Sequence, residues 1–344
     1  MTGLRVPYPW FGGKSRIVDL VWSRFGTVRN YVEPFFGGGA VLLGRPAPLS
    51  GPETINDINA YLSNFWRSTK HAPDLVAEYA DWPVNEVDLE ARHKWLVRMP
   101  EKREFVQRMK DDPDFYDPKY AGWWVWGICA WIGTGWCQGE WWGPGDELNR
   151  GSGINVGDPE RGGKRPHLGN GKGINRIPNQ LPHLGAGQGI NRQTTESRTD
   201  HLIRYMRQLS DRFRNVRVCC GDWSRVLGPS VTFKHGMTGV FLDPPYSVED
   251  RADVYGTEED YGVARDVYAW CMTNGDNPLL RIALCGYEGE HDIPDTWECV
   301  AWKAHGGYGN RGTKKKATEY VNKHRERIWF SPACVRPESL LEEL

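Results

Sequence analysis

Asp243-Pro244-Pro245-Tyr246 carries the strongest chemical signal in the chain. It follows Gly239-Val240-Phe241-Leu242, a wholly apolar run that reads as a strand inside a parallel sheet. Ligands of open α/β sheets bind outside the carboxyl ends of strands, so a carboxylate there is positioned to meet one. The residue types suit the activation of an amino group on an aromatic ring. Such a nitrogen is a poor nucleophile because its lone pair is delocalised into the ring. A carboxylate accepting one N–H bond and a backbone carbonyl accepting the other draw it towards tetrahedral geometry. Asp243 is the carboxylate in this scheme, and Pro244 supplies the carbonyl. Pro244 and Pro245 stiffen the loop, so both acceptors are held before a substrate arrives. Tyr246 offers a ring on which a planar heterocycle stacks. The bland alternative is a tight turn after a buried strand.

Three further signals have weaker chemistry of their own. Glu33-Pro34-Phe35-Phe36-Gly37-Gly38-Gly39-Ala40-Val41 puts glycines between a strand and a helix. Gly37 and Gly39 let a ligand approach the backbone, and a helix N-terminus favours a negative group. This is not the G-x-G-x-x-G dinucleotide pattern, and an ordinary loop fits it as well. Asp57 ends a second strand about 20 residues past the glycine turn, where an acidic side chain reaches ribose hydroxyls. A helix N-cap is the other reading of Asp57. Asp222, after Cys219-Cys220-Gly221, ends a strand and is placed to meet an adenine edge, although taken alone a purely structural role is the favoured reading.

The elements that must position these residues follow from pattern. Asn30 to Pro34 reads as a strand ending in a turn, Ala40 to Leu43 opens a helix, and Thr54 to Asp57 ends a second strand. Together they make a βαβ unit. Residues 71–115 look helical. Asp200 to Phe213 is an amphipathic helix with Leu202, Ile203, Met206, Leu209 and Phe213 near one face. Strands are expected at Val216–Cys220, Gly239–Leu242, Leu280–Cys285 and Arg327–Phe330. Between the two halves, residues 116–145 hold a cluster of tryptophans running from Trp123 to Trp142. Packing of a small helical subdomain explains most of that cluster better than base stacking does. Residues 146–195 are glycine-rich and repetitive. Gly151-Ser152-Gly153-Ile154-Asn155, Gly171-Lys172-Gly173-Ile174-Asn175 and Gly187-Gln188-Gly189-Ile190-Asn191 share one pattern. A loop this long is usually functional or mobile.

Bulk properties exclude several classes. With 344 residues, 39% hydrophobic and 25% charged, the chain is long enough and apolar enough for a full core. No apolar run approaches the roughly 20 residues that span a bilayer, and the N-terminus lacks a secretory pattern. The eight cysteines show no C-x-x-C spacing and read as reduced thiols of a cytoplasmic protein. A net charge of −1 announces no polyanion partner globally, so any nucleic-acid surface is local. Lys314, Lys315 and Lys316 form one such cluster, with a solvated face as its ordinary reading.

Taken in order, these signals resemble the Dam-type, D12 class DNA N6-adenine methyltransferases. The resemblance begins at Tyr8-Pro9-Trp10-Phe11-Gly12-Gly13-Lys14 and continues through Glu33–Gly39 and Asn56-Asp57-Ile58-Asn59. It resumes at Gly221-Asp222 and Asp243–Tyr246, and closes with Gly312–Glu319 and Glu326-Arg327-Ile328-Trp329. It covers roughly residues 1–70 and 199–332. It implies a Rossmann-like class I methyltransferase α/β sheet with an inserted, largely helical and loop-rich target-recognition region. The catalytic domain is then residues 1–70 and 199–335, the insertion 71–198, and a tail 336–344. S-adenosyl-L-methionine is the implied methyl donor, with no metal, because the sulfonium is already a good leaving group. Trp10 and Lys14 help hold the donor. Glu33, Pro34, Phe35, Gly37 and Gly39 lie at it, Asp57 binds its ribose, and Asp222 and Asp243 border it. Asp243, Pro244, Pro245 and Tyr246 serve an adenine flipped out of double-stranded DNA, a motion that costs a few kcal/mol.

The middle region departs from the family. Asn149, Gly153, Asn155, Val156 and Gly157 faintly resemble its target-reading hairpin, but Ile154 replaces an aromatic and the following proline is absent. Arg150 and Asn155 are nevertheless candidate DNA contacts, since Arg pairs with guanine and Asn with adenine edges. Turn chemistry explains the same residues. Cytosine C5 methylation needs a nucleophilic cysteine, usually after proline, and no Pro-Cys dipeptide occurs. Cytosine N4 or RNA as acceptor, and a catalytically silent DNA-binding relative, stay open as alternatives. A cognate restriction enzyme is a partner the family allows.

Overall fold

The computed structural model describes residues 4–10, 12–46, 51–98, 102–131, 136–137, 190, 197–245, 258–302 and 325–336. They fall into two compact units, residues 11–58 with 215–344 and residues 2–10 with 59–214.

The first unit is a mixed α/β sheet compatible with a methyltransferase fold. Its strands are β1 (Asn30–Glu33), β2 (Glu53–Asp57), β3 (Val216–Cys220), β4 (Thr238–Leu242), β5 (Leu280–Tyr287), β6 (Glu298–Ala301) and β7 (Glu326–Phe330). They lie in the order β3-β2-β1-β4-β5-β7-β6. Strands β3, β2, β1, β4 and β5 are parallel, and β7 runs antiparallel to both β5 and β6. The chain moves outward from β1 through β2 to β3, then returns to place β4 on the other flank of β1. That reversal makes the β1/β4 junction the switch point at which open α/β sheets take ligands.

The central strands are buried because both faces of the sheet are covered. All five residues of β4 are buried. On one face Val240, Leu242, Ile282 and Leu284 pack with Val267 and Cys271 of α9 (Glu258–Asn274) and with Trp297 and Trp329. On the other face α1 (Val18–Phe25) brings Trp22 within 5.1 Å of Tyr31 and Phe25 within 6.3 Å of it, centroid to centroid. The strands expected at 216–220, 239–242 and 327–330 form, and the one expected at 280–285 runs on to Tyr287. Strand β6 and helices α1 and α9 carried no sequence expectation.

The second unit is helical among its described residues. It holds α3 (Ala60–His71), α4 (Pro73–Ala80), α5 (Glu86–Arg98), α6 (Lys102–Asp111), α7 (Pro118–Ala130) and α8 (Arg198–Phe213). Asn59, Asp117 and Ser197 cap α3, α7 and α8 with their side chains. The buried face of α8 is Leu202, Met206, Leu209 and Phe213, as its period requires. Helices α3 and α8 pack with α4 and α7, so the segments 59–70 and 199–214 group with the helices that separate them in the chain. Aromatic packing holds this core. Trp66 stacks on Phe213 at 4.5 Å, and its indole N–H donates to the Tyr8 hydroxyl at 3.0 Å. Trp124, Trp126, Trp131 and Trp136 are buried, in keeping with a packing role for that cluster. The Arg92 guanidinium lies 4.9 Å from the Trp82 ring and 4.8 Å from Trp126. No helix among the described residues is long and apolar enough to cross a membrane.

Candidate active site

The glycine turn after β1 is built by local bonds. Gly39 adopts a left-handed conformation at φ 72°, and a Cβ there would lie 2.5 Å from the Phe36 ring. The Gly39 N–H closes the turn on the Phe36 carbonyl at 2.9 Å. Helix α2 (Ala40–Leu43) follows and is only one turn long, so it carries little of the dipole expected at a helix start.

Strand β2 locks this turn from the side. The Phe36 N–H donates to the Asn56 carbonyl at 3.0 Å, and the Gly37 N–H donates to Asp57 Oδ2 at 3.0 Å. Asn56 spans the strand ends, its side-chain amide donating to Pro34 O at 3.1 Å and Gly221 O at 2.9 Å. Asp57 is not a helix cap. Asn59 takes that role, its Oδ1 accepting from Tyr61 N at 3.0 Å and Leu62 N at 3.2 Å. Asp222, by contrast, is exposed and caps the short 3₁₀ turn Trp223–Val226, accepting from Ser224 N at 2.9 Å. Phe35 stacks on Trp223 at 6.1 Å and 27°.

Glu33 sits at the carboxyl end of β1 and is 2% exposed. Burial pushes its carboxyl well above the usual range; the nearby Asp243 and Asp57 push the same way. The Tyr31 hydroxyl, donating to Oε2 at 2.7 Å, and the Leu42 backbone N–H pull against that shift without reversing it.

Asp243 follows β4 directly, with Pro244 buried and Pro245 half-buried beside it. Its Oδ2 pairs with Lys14 Nζ at 2.7 Å, and the same ammonium donates to Gly12 O at 2.8 Å. Lys14 is 6% exposed. Burial is the largest single influence on it and lowers its pKa. Asp243, Cys285 and Glu326 together outweigh that burial, so Lys14 ends above its ordinary value and stays charged. The result is a convergence of carboxyl groups at adjacent strand ends, Asp57 on β2, Glu33 on β1 and Asp243 after β4, with Lys14 paired to the last.

The chain matches a family model here. Residues 10–110 match the D12 class N6 adenine-specific DNA methyltransferases. No curated protein matches the chain. The D12 match spans Lys14, Glu33, the glycine turn and Asp57, and runs on through α3 to the end of α6. Asp243 lies beyond it, brought to the matched segment by the pairing of β4 with β1. The D12 family is one of DNA methyltransferases, and it points to DNA adenine methylation as the class of reaction.

Trp10 belongs to the helical unit, where its ring meets Tyr8 edge-on at 5.8 Å. Tyr246, Arg150, Asn155, Lys314, Lys315 and Lys316 lie outside the described residues. Of the repeats, Ile190 is described; it is buried, and its N–H donates to Pro7 O at 2.9 Å. Sequence reasoning missed Tyr31, Cys285, Glu326 as a neighbour of Lys14, and Trp302. Tyr31 was open to discovery, since it lies two residues before Glu33 on one strand and therefore shares its face. The other three become neighbours only when β5, β7 and β6 pair.

Proposed function

We propose that the chain transfers a methyl group from S-adenosylmethionine to the N6 amino group of an adenine unstacked from double-stranded DNA. The observation that carries this reading is Asp243, at the tip of a buried strand at the β1/β4 switch point, with Glu33 and Asp57 at the two neighbouring strand ends. The residues on the β1 and β2 side suit the donor. It has a net positive charge, and Glu33, buried beside Asp57 and Asp243, gains from a cation. Gly37 and Gly39 leave the turn bare of side chains, and Asp57, held by Gly37, sets a carboxylate beside it to meet a ribose hydroxyl. S-adenosylmethionine supplies, when bound, a methyl group on a cationic sulfur.

The chain's own part is to make the amino nitrogen nucleophilic and to hold it still. Asp243 accepts one N–H of the amino group and the Pro244 carbonyl accepts the other, which localises the lone pair on nitrogen. The proline pair fixes these acceptors in advance, so little reorganisation accompanies the reaction. The excess proton of the methylated amine leaves by way of the Asp243 carboxylate. Lys14 neutralises Asp243 while the site is empty of base and gives way to the amino group as it arrives. Tyr246 is our candidate for stacking on the base, and Arg150, Asn155 and Lys314 to Lys316 are our candidates for DNA contacts.

The test is nucleoside analysis of unmethylated plasmid DNA incubated with the purified chain and labelled S-adenosylmethionine. Label in N6-methyladenine is the expected result. Label in N4-methylcytosine would move the acceptor to cytosine, and no label on DNA would overturn the proposal.

A further inference from the structure

The β5–β7–β6 side of Asp243 contains a row of side chains that the reading above leaves without work. Register sets Tyr287 beside Glu326, and Ala301 beside Arg327. The next residue, Trp302, donates its backbone N–H to the Glu326 carbonyl at 3.2 Å. Because side chains alternate along strands, Cys285 and Tyr287, Ile328 and Glu326, and Val300 and Trp302 point to one face. The ammonium of Lys14 joins that face to Asp243. It is 2.7 Å from the Asp243 carboxylate and 5.4 Å from the centroid of the Trp302 ring.

One cation thus marks both a hydrogen-bond site and an aromatic face. A purine that bonds to Asp243 through its amino group displaces the ammonium from the carboxylate. Its amino nitrogen then takes the ammonium's place, 5.4 Å from the indole centroid, which brings the attached ring within reach of that aromatic face. Trp302 is half-buried, and its indole N–H is buried with no partner among the described residues.

We propose that Trp302 is a stacking surface for the target base, on the opposite side of β4 from Glu33 and Asp57. This rests on the methyl-transfer reading given above. On that reading the site has two sides: carboxylates meet the donor at β1 and β2, and an aromatic wall meets the acceptor across β5, β7 and β6.

The test compares Trp302→Leu, which keeps apolar bulk, with Trp302→Phe, which keeps a ring. Single-turnover transfer from labelled S-adenosylmethionine to unmethylated plasmid DNA is measured at saturating donor and DNA, beside the thermal shift given by the donor alone. The leucine variant should transfer about tenfold to a hundredfold more slowly, the usual range for loss of one base–aromatic stack. The phenylalanine variant should stay within about threefold of wild type, and both should keep the full donor-induced shift. Should Trp302→Leu not fold, Trp302→Met keeps the bulk without the ring. Wild-type rates in the leucine variant, or equal losses in both variants, would overturn the role of Trp302 alone. A wild-type chain that transfers no methyl group would overturn the functional reading itself, and this assignment with it.

Discussion

The two sides of β4 are built in different ways. On the β1–β2 side, the groups that matter lie within one short stretch, Glu33 to Asp57, and are tied by backbone bonds: Gly37 to Asp57, Phe36 to Asn56, Gly39 to Phe36. On the β5–β7–β6 side, Cys285, Trp302 and Glu326 come from distant parts of the chain and are set by strand register, and Lys14, ahead of α1, joins them there. The first side is a rigid cradle of turns and carboxyl groups. The second is a wall with an aromatic ring and one ammonium. A sheet switch point explains why both exist: the strands on its two flanks arrive by separate routes, and each flank can specialise for one reactant.

That contrast can be broken at named residues. Asp57→Ala should have the largest effect on donor binding, removing a carboxylate and the side-chain acceptor of the Gly37 N–H. Donor affinity should fall roughly tenfold to hundredfold by the loss of charge-assisted bonds, while transfer at saturating donor stays within about twofold. An unchanged donor isotherm would end the division of labour. Gly39→Ala forces a left-handed backbone onto a residue with a Cβ and drives that atom into Phe36. It should cost about 1–3 kcal/mol, read as a lower Tm, and should also reduce the donor-induced shift.

Two pH effects sharpen the comparison further. Burial pushes the Glu33 carboxyl well above its usual range, so its folded pKa lies above its unfolded one. The folded state then binds the extra proton, and stability falls as pH rises through that interval. Glu33→Gln should therefore melt above wild type at pH 8, with the gap closing towards pH 4.5. A gap independent of pH would remove the carboxyl from that role. In the helical unit the sign is opposite. His93, half-buried against the Trp131 and Trp136 rings, has its pKa pushed down to about 4 by burial first and by Lys102 and Arg98 after it. Its unfolded form binds the proton more readily, so stability should fall as pH drops from about 6.5 towards 4. His93→Gln should flatten that acid limb slightly and leave donor binding untouched. An acid limb unchanged by the substitution would assign it to other groups.

Legibility in the sequence follows the same division. The turn Glu33–Gly39, Asp57 and Asp243 were readable because strand ends, glycines and acidic residues fall at short, regular spacings. The strands β1, β2, β3, β4, β5 and β7 were readable from short runs with β-branched or aromatic residues. Strand β6 was not: its residues alternate between half-buried and exposed, and Glu298 on it serves Arg24 of α1 at 2.7 Å. No local pattern announces such an edge strand, and with it Trp302 was invisible. Helix α1 was missed because Val18–Phe25 is short and its start has no side-chain cap. Asp57 had two readings in the sequence, and only the neighbouring Asn59 cap removes one of them.

The most direct test of the central claim is Asp243→Ala, measured for donor affinity and for methyl transfer in the same preparation. The account predicts donor affinity within about threefold of wild type and transfer reduced by about a hundredfold to a thousandfold, the scale of losing a preorganised polar group at a reacting centre. Transfer at the wild-type rate with Asp243 gone would contradict it.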